Sequence, residues 1–251
     1  MSPDESAPRD IAAYERAYAE SGFEAVQAKY RKRMLLELME RVRPRRVLEV
    51  GCGLDTLANH WRHAERFVIV EPGAGFAEQA RRDVAGRAGV LVVEDTLEGA
   101  APTLPRDFDL VLVSGLLHEL TDPGGVLDAV RALCGASTLV HANVPNARSL
   151  HRLLALEMGL IADVTERSDL QKALQQPRTF DLESLAALAQ AHGFTVAEQG
   201  AYFVKPFTHG QMLKLQADGL VTDAMLDGFY GLARHLPGMG SEIFVNLRTA
   251  R

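Results

Sequence analysis

Apolar residues along this chain follow two rhythms, and the change comes near residue 45. Between residues 10 and 43 they recur at steps of three and four, as Tyr14, Ala17 and Tyr18, then Leu35, Leu38, Met39 and Val42. That spacing predicts helices with one apolar stripe. Ser21-Gly22 divides the stretch into two helices and Pro44 ends it. Residues 1–9 are polar, include Pro3 and Pro8, and read as a frayed terminus. From Arg46 onward, short and almost wholly apolar runs alternate with amphipathic stretches. The runs are 46–50, 67–70, 90–93, 109–113 and 138–144. Helices are expected over 56–63 and 74–84, and another opens at Asp122-Pro123, an N-cap followed by proline at the first helical position.

Strands that are apolar on both faces, separated by helices, imply a parallel sheet covered on both sides. With right-handed crossovers the chain becomes an α/β protein with a doubly wound sheet. After Pro145 the pattern loosens. A helix is expected over 150–160 within an insertion spanning about 146–177, and a second over 181–192, with Asp181 as N-cap and Gly193 as its stop. Two further strands are expected, 194–207 with a kink at Gly200 and 242–248, with helical residues 209–235 between them. The sheet would then have seven strands, mostly parallel. Domain organisation reads as an N-terminal helical extension, 1–44, and one main domain, 45–251.

Composition narrows the function. The 251 residues carry a formal net charge of −6, which argues against a nucleic-acid binder held by phosphate contacts. The Arg/Lys-rich runs 29–33 and 41–46 read as solvated helix faces. Cys52 and Cys134 form neither a disulfide framework nor a zinc knuckle, so a reducing compartment and no metal are expected. The start of the chain lacks the apolar core of a signal peptide, and no run of apolar residues is long enough to span a membrane. A cytoplasmic protein without membrane partners is the expectation.

In a doubly wound sheet the ligand sits beyond the C-terminal strand ends. There the sequence places Glu49-Val50-Gly51-Cys52-Gly53, a glycine turn between a strand and the helix expected to follow, whose first N–H groups would face the ligand. Glu71, with Pro72 after it, closes the second strand at the offset where a carboxylate meets ribose hydroxyls. A dinucleotide site asks for a small third residue in the turn, but that position is Thr56. Glu49 would sit badly beside a diphosphate and well beside an ammonium or sulfonium group, which favours S-adenosylmethionine as ligand. Asp95 is a candidate for the adenine amine, with the Thr96 N–H for a ring nitrogen; the competing role for Asp95 is an N-cap.

The motifs Val47-Leu-Glu-Val-Gly-Cys-Gly53, Glu71, Asp95 and Phe108-Asp-Leu-Val-Leu-Val113 resemble those of class I S-adenosylmethionine-dependent methyltransferases. Within that class, Leu116-Leu-His-Glu-Leu-Thr-Asp-Pro123 is similar to a signature of the ubiquinone-methyltransferase-like group. Later segments, among them Val144-Pro-Asn-Ala-Arg-Ser-Leu-His-Arg152 and Phe203-Val-Lys-Pro-Phe207, resemble a bacterial subgroup associated with sugar, polysaccharide or natural-product methylation. The resemblance implies a Rossmann-like fold. It also implies that Gly51 and Ser114 hold the donor's amino group, with Tyr30 or Arg33 reaching its carboxylate. Two departures stand out. Asp55 replaces a small residue of the first motif, and the signature's Glu-His pair occurs as His118-Glu119.

The implied reaction is O- or N-methylation of a small molecule. His118, after the fourth strand, is the first candidate for a base, since an ordinary histidine pKa of roughly 6.5 suits proton acceptance at neutral pH. His151, Phe203, Met212 and Tyr230, with Phe207, are candidates for the acceptor wall, and His141, inside an apolar strand, reads as a core histidine. The resemblance leaves room for a homodimer. Two other readings stand beside it: a non-catalytic donor-binding regulator or partner subunit, and a nicotinamide-dependent dehydrogenase, against which Thr56 speaks.

Overall fold

The computed structural model describes residues 23–168, 171–172 and 176–250. The expected frayed terminus and the first helix, up to the Ser21-Gly22 break, lie outside the described residues. Helix α1, Glu24–Val42, stops where Arg43 adopts a left-handed φ of 54° and gives its N–H to the Met39 carbonyl at 2.7 Å. Pro44 then prevents any continuation.

Seven strands follow: β1 Arg46–Val50, β2 Arg66–Val70, β3 Val90–Val93, β4 Leu110–Ser114, β5 Leu139–Pro145, β6 Phe194–Tyr202 and β7 Glu242–Thr249. Between them lie α2 Ala74–Asp83, the short α3 Leu97–Ala100, α4 Pro123–Leu133, α5 Leu150–Glu157, α6 Leu182–Ala191, α7 His209–Ala217 and α8 Asp223–Leu232. They form one mixed sheet in the order β3-β2-β1-β4-β5-β7-β6. Strands β1 to β5 pair in parallel, and β7 runs antiparallel to both β5 and β6.

Side chains of successive strand residues point to opposite faces, so each central strand feeds two cores. Leu48, Val50, Val68, Val111, Val113 and Val140 pack beneath α4 and α6. Val47, Phe67, Ile69, Leu110 and Leu112 pack beneath α1, Trp61 and the α7–α8 pair. The winding reverses between β1 and β4, and the crevice at their C-terminal ends becomes the site.

The structure refines four expectations. The strand expected over 194–207 ends at Tyr202, because Phe203 turns the chain with a φ of 56°. The register shift in β6 falls between Val196 and Glu198 instead of at Gly200, whose missing side chain makes room for the Phe244 ring. The helical stretch 209–235 is two helices, since Gly219 is left-handed and Thr222 caps the second by accepting the Met225 N–H. The helix expected over 150–160 closes at Glu157.

Asp109, just before β4, ties the starts of the two central strands. Its carboxylate accepts the N–H groups of Arg45 and Arg46 at 3.0 and 2.9 Å, together with the Arg46 guanidinium. Burial would raise the Asp109 pKa, but the Arg46 guanidinium and the two N–H groups outweigh it and hold it below the ordinary carboxylate range. A carboxylate with a depressed folded pKa contributes stability above its unfolded pKa and loses it as pH falls through the folded value. The urea midpoint should therefore fall on acidification below about pH 4, and more steeply than in Asp109→Asn, as denaturation curves across that range will show.

Candidate active site

The turn after β1 takes its shape from two glycines. Gly51 and Gly53 have φ of 77° and 54°, and a Cβ on either would meet no protein atom within 4 Å. Both border a cavity of about 1060 Å³. They are needed for backbone geometry, and the open space beside them belongs to the cavity. The helix expected over 56–63 does not form, and only a single 3₁₀ turn, Leu57–Asn59, follows. Glu49 explains the difference. From within the sheet its carboxylate accepts the Thr56 hydroxyl and the Leu57 N–H, while the Trp61 indole donates to the Pro44 carbonyl at 3.1 Å. The chain is thereby held against the face of the sheet, and no helix starts directly after the glycine turn.

The N–H groups of the turn go to Glu71 instead. One Glu71 oxygen accepts from Cys52 at 2.9 Å and Gly53 at 3.4 Å, and the other accepts from Gly73 at 2.8 Å. Glu71 is buried and lines the cavity with Pro72. Burial pushes its pKa up, partly offset by these N–H groups, and burial lifts Glu49 to about 7. Ser114, at the end of β4, also borders the cavity.

Asp95 stands outside the cavity lining, because its carboxylate turns onto the Thr96 N–H at 2.8 Å. That contact occupies the N–H expected to serve a ring nitrogen. The cap of α3 is Thr96, whose hydroxyl accepts the Gly99 N–H. Thr96, Leu97 and Glu98 do line the cavity.

On α1 the two expected residues point away. Tyr30 is fully buried, stacked on Phe203 with ring centroids 4.5 Å apart, and its hydroxyl donates to Asp227 at 3.0 Å. Arg33 lies on the outer surface with Glu37 and Asp227, over the Tyr230 ring. The cavity face of the helix carries Glu24, Gln27, Arg31, Lys32 and Leu35. These residues stand near the helical three-to-four spacing of one face, the signal that identifies them. Lys32 pairs with Asp55, which also holds His60 at 3.0 Å. The unusual Asp55 of the first motif is thus tied by a cation from α1 beside the glycine turn.

Across the cavity, His118 and His151 are lining residues. His118 sits in a 3₁₀ turn, Leu117–Glu119, with its Nε2 3.8 Å from Glu119 Oε1, and its carbonyl accepts the Arg178 N–H. Phe203, Met212 and Tyr230, expected in the acceptor wall, lie in the core between α1, α7 and α8. Phe203 and Met212 are fully buried there, and the Tyr230 hydroxyl donates to Glu37 at 2.6 Å. Phe207 is exposed. His141 is fully buried, shares a 2.7 Å hydrogen bond with Asn246, and is pushed down to about 4 by burial. Segment 146–168 covers one side of the cavity, held by Arg152, which donates to the Val164 carbonyl at 2.8 Å.

The sequence reading missed a charged group on this side. The Arg31 guanidinium binds Glu24 at 3.0 Å and grips the Glu242 carboxylate through Nε and a terminal nitrogen. Glu242 also accepts from Tyr202 and from Asn143 at 3.0 Å. Burial would raise its pKa, but Arg31 and Tyr202 outweigh it and hold it below the ordinary range. Lys205 lines the same region. Its motif was visible in sequence, but the weight there fell on the flanking aromatics. Among the described residues no cluster of His, Cys, Asp and Glu could hold a metal ion, and no helix is long and apolar enough to cross a membrane.

A family model described as a methyltransferase domain matches residues 16–199. The chain belongs to the methyltransferase-domain family. It is a methyltransferase, and the family's methyl donor is S-adenosylmethionine. No curated protein sequence matches it significantly. Among solved structures it is similar to an S-adenosylmethionine-dependent methyltransferase of Thermotoga maritima, with 18% identity, 94% of this chain and 98% of that one covered, and a TM-score of 0.59. The N-methyltransferase NodS of Bradyrhizobium japonicum, solved with S-adenosylhomocysteine, shares 11% identity over 93% of this chain and 91% of its own, with a TM-score of 0.55. For the plantazolicin methyltransferase BamL the values are 12%, 96%, 97% and 0.55. These likenesses concern the fold.

Glu71→Gln tests the junction between the methyltransferase's first two strand ends. An amide there turns an NH₂ group toward backbone N–H donors, leaving at least one unsatisfied, so unfolding free energy should fall by about 1–3 kcal/mol in chemical denaturation.

Proposed function

We propose that this methyltransferase moves the methyl group of S-adenosylmethionine to a small-molecule acceptor held in the same cavity. One observation carries the reading: a single cavity of about 1060 Å³ borders both Gly51, Gly53, Glu71 and Ser114 and the His118–His151 side. Donor and acceptor can meet there away from bulk water. The free lone pairs of Glu71 would accept the ribose hydroxyls, and the carbonyls at Gly51 and Ser114 the donor's ammonium. The adenine would rest against Thr96 and Leu97. In place of Tyr30 and Arg33, the residue suited to the donor's carboxylate is Lys32, which lines the cavity beside the glycine turn.

Transfer is an in-line displacement. The acceptor heteroatom forms a bond to the methyl carbon, the carbon–sulfur bond breaks, and its electron pair stays on sulfur. The protein contributes alignment at about 3–3.5 Å and a place for the acceptor's proton. His118 takes that proton in this reading, with Glu119 beside it to stabilise the imidazolium. An O–H or N–H acceptor of the kind found in natural-product or sugar methylation fits, and BamL offers a parallel, since it binds a desmethyl plantazolicin analog together with S-adenosylhomocysteine. The Leu116–Pro123 segment supports placement near the ubiquinone-methyltransferase-like group, and the free thiols of Cys52 and Cys134 support a cytoplasmic setting.

Calorimetry should show S-adenosylmethionine and S-adenosylhomocysteine binding while NAD does not; a chain that binds neither adenosyl compound removes the reading. His118→Ala should lower turnover at least about tenfold with donor affinity nearly unchanged, measured as S-adenosylhomocysteine release over a panel of alcohol and amine acceptors. Full turnover in that variant removes His118 as the base.

A further inference from the structure

Lys205 is a buried cation that the methyl-transfer geometry leaves unused. It follows the left-handed turn at Phe203, on a backbone pinned from two sides: the Val204 N–H bonds to the Phe229 carbonyl and the Ser241 N–H to the Phe203 carbonyl, each at 2.9 Å. The side chain therefore runs inward, and Lys205 is 3% exposed while lining the cavity. Its ammonium lies 5.8 Å from the centre of the Phe23 ring. Among the described residues it makes no hydrogen bond or ion pair.

The charges around it explain why. Glu24 and Glu242, the carboxylates facing Lys205, are both engaged by Arg31, and Glu242 is further saturated by Tyr202 and Asn143. The other titratable groups in its field are His151 and His209, both lining the cavity. His151 Nδ1 is buried without a hydrogen-bond partner. Burial, then Lys205, pushes His151 well below the ordinary histidine range and His209 to about 3, while burial brings Lys205 down to about 7. A buried cation without a hydrogen-bonded partner is costly, and burial lowers the proton affinity of all three groups.

We infer that Lys205, with His151 and His209 beside it, anchors a carboxylate carried by the methyl acceptor. One oxygen meets the ammonium, and an imidazole N–H serves the other. A monoanion suits the site, because a doubly charged phosphate would be repelled by Glu24 and Glu242 on the same side. The anchor names the acceptor as an acid bearing a separate methylatable group, and it rests on the methyl-transfer reading above.

The test uses matched pairs of aromatic acids and their amides, with phenylphosphonate as the dianion control, in ligand-observed NMR with and without saturating S-adenosylhomocysteine. Wild-type protein should bind the acids about tenfold better than the amides, the difference one charge-assisted hydrogen bond makes. Lys205→Met should level the two, and so should Lys205→Gln, the second variant should the first fold poorly. Acid binding above pH 7 should take up a proton in wild type but not in these variants, read by calorimetry in buffers of different ionisation enthalpy. Equal affinity for acids and amides, a preference that survives loss of Lys205, tighter phosphonate binding, or no acid bound at about 10 mM would each overturn the anchor. If S-adenosylhomocysteine binds and the acids fail, the anchor alone falls. If the acids bind through Lys205 while S-adenosylhomocysteine does not, the methyl-transfer reading falls and the acid site stands.

Discussion

The ends of the first two strands are joined by one buried carboxylate. Glu71 directly follows β2, yet most of what it accepts belongs to the turn after β1, through the N–H groups of Cys52 and Gly53. Three N–H dipoles, counting Gly73, converge on an anion with little water around it. Such bonds are shorter and stronger than those between neutral groups, and breaking one strands a donor in a dry site. The left-handed φ of Gly51 and Gly53 aims those N–H groups at Glu71, and the same turn leaves the cavity open beside it. Cavity rim and strand junction are one construction.

The opposite wall is assembled differently. Arg31 reaches from α1 to Glu242 at the start of β7, 211 residues away in sequence, and Glu24 completes the pair of acids around it. Gln27 bonds Ser241 in the same way, at 2.9 Å. The helix before the sheet and the last strand in the chain are thus joined by side chains that also line the cavity. Arg31 balances two acids that would otherwise repel each other. Without it, a buried carboxylate would be left uncompensated, the expensive half of a broken ion pair.

This contrast explains what could be read from the sequence. The wound sheet was legible because its strands are apolar on both faces and its turns carry glycine, proline and acids at fixed offsets. Gly51, Gly53, Glu71, Pro72, Thr96 and Ser114 border the cavity for the same reason: each is placed by its position along a strand end. The helix expected after the glycine turn failed because Glu49, which lines the cavity, also captures the Thr56 hydroxyl and the Leu57 N–H. Tyr30 and Arg33 lie off the cavity stripe of α1, since neighbouring helical residues point about 100° apart and the sequence does not say which stripe meets which. Phe203, Met212 and Tyr230 follow the same rule: large apolar side chains near a site most often fill its supporting core. Glu242 and Lys205 acquire meaning only when β7 folds back beside β5, a long-range pairing that no local pattern announces.

The two ways of holding buried acids have a consequence for the chemistry. Beside the glycine turn, Glu49 and Glu71 are held mainly by neutral dipoles, so whatever negative charge they carry is uncancelled by any protein cation at close range. On the opposite wall, Arg31 offsets only one of the two carboxylate charges of Glu24 and Glu242, and Lys205 faces the pair. The cavity therefore has one end that favours a cation and one that is close to neutral with Lys205 counted. S-adenosylmethionine arrives with a positively charged sulfur and leaves as an uncharged thioether. With the donor bound as proposed, any attraction between that sulfur and the Glu49–Glu71 pair would weaken as the carbon–sulfur bond breaks. Such a pose would favour binding of donor over product, and aligning the acceptor's nucleophile would have to offset that lost attraction. In the proposed reading the Arg31–Glu242 wall would contribute to that alignment, because it holds the side of the cavity that faces the glycine turn.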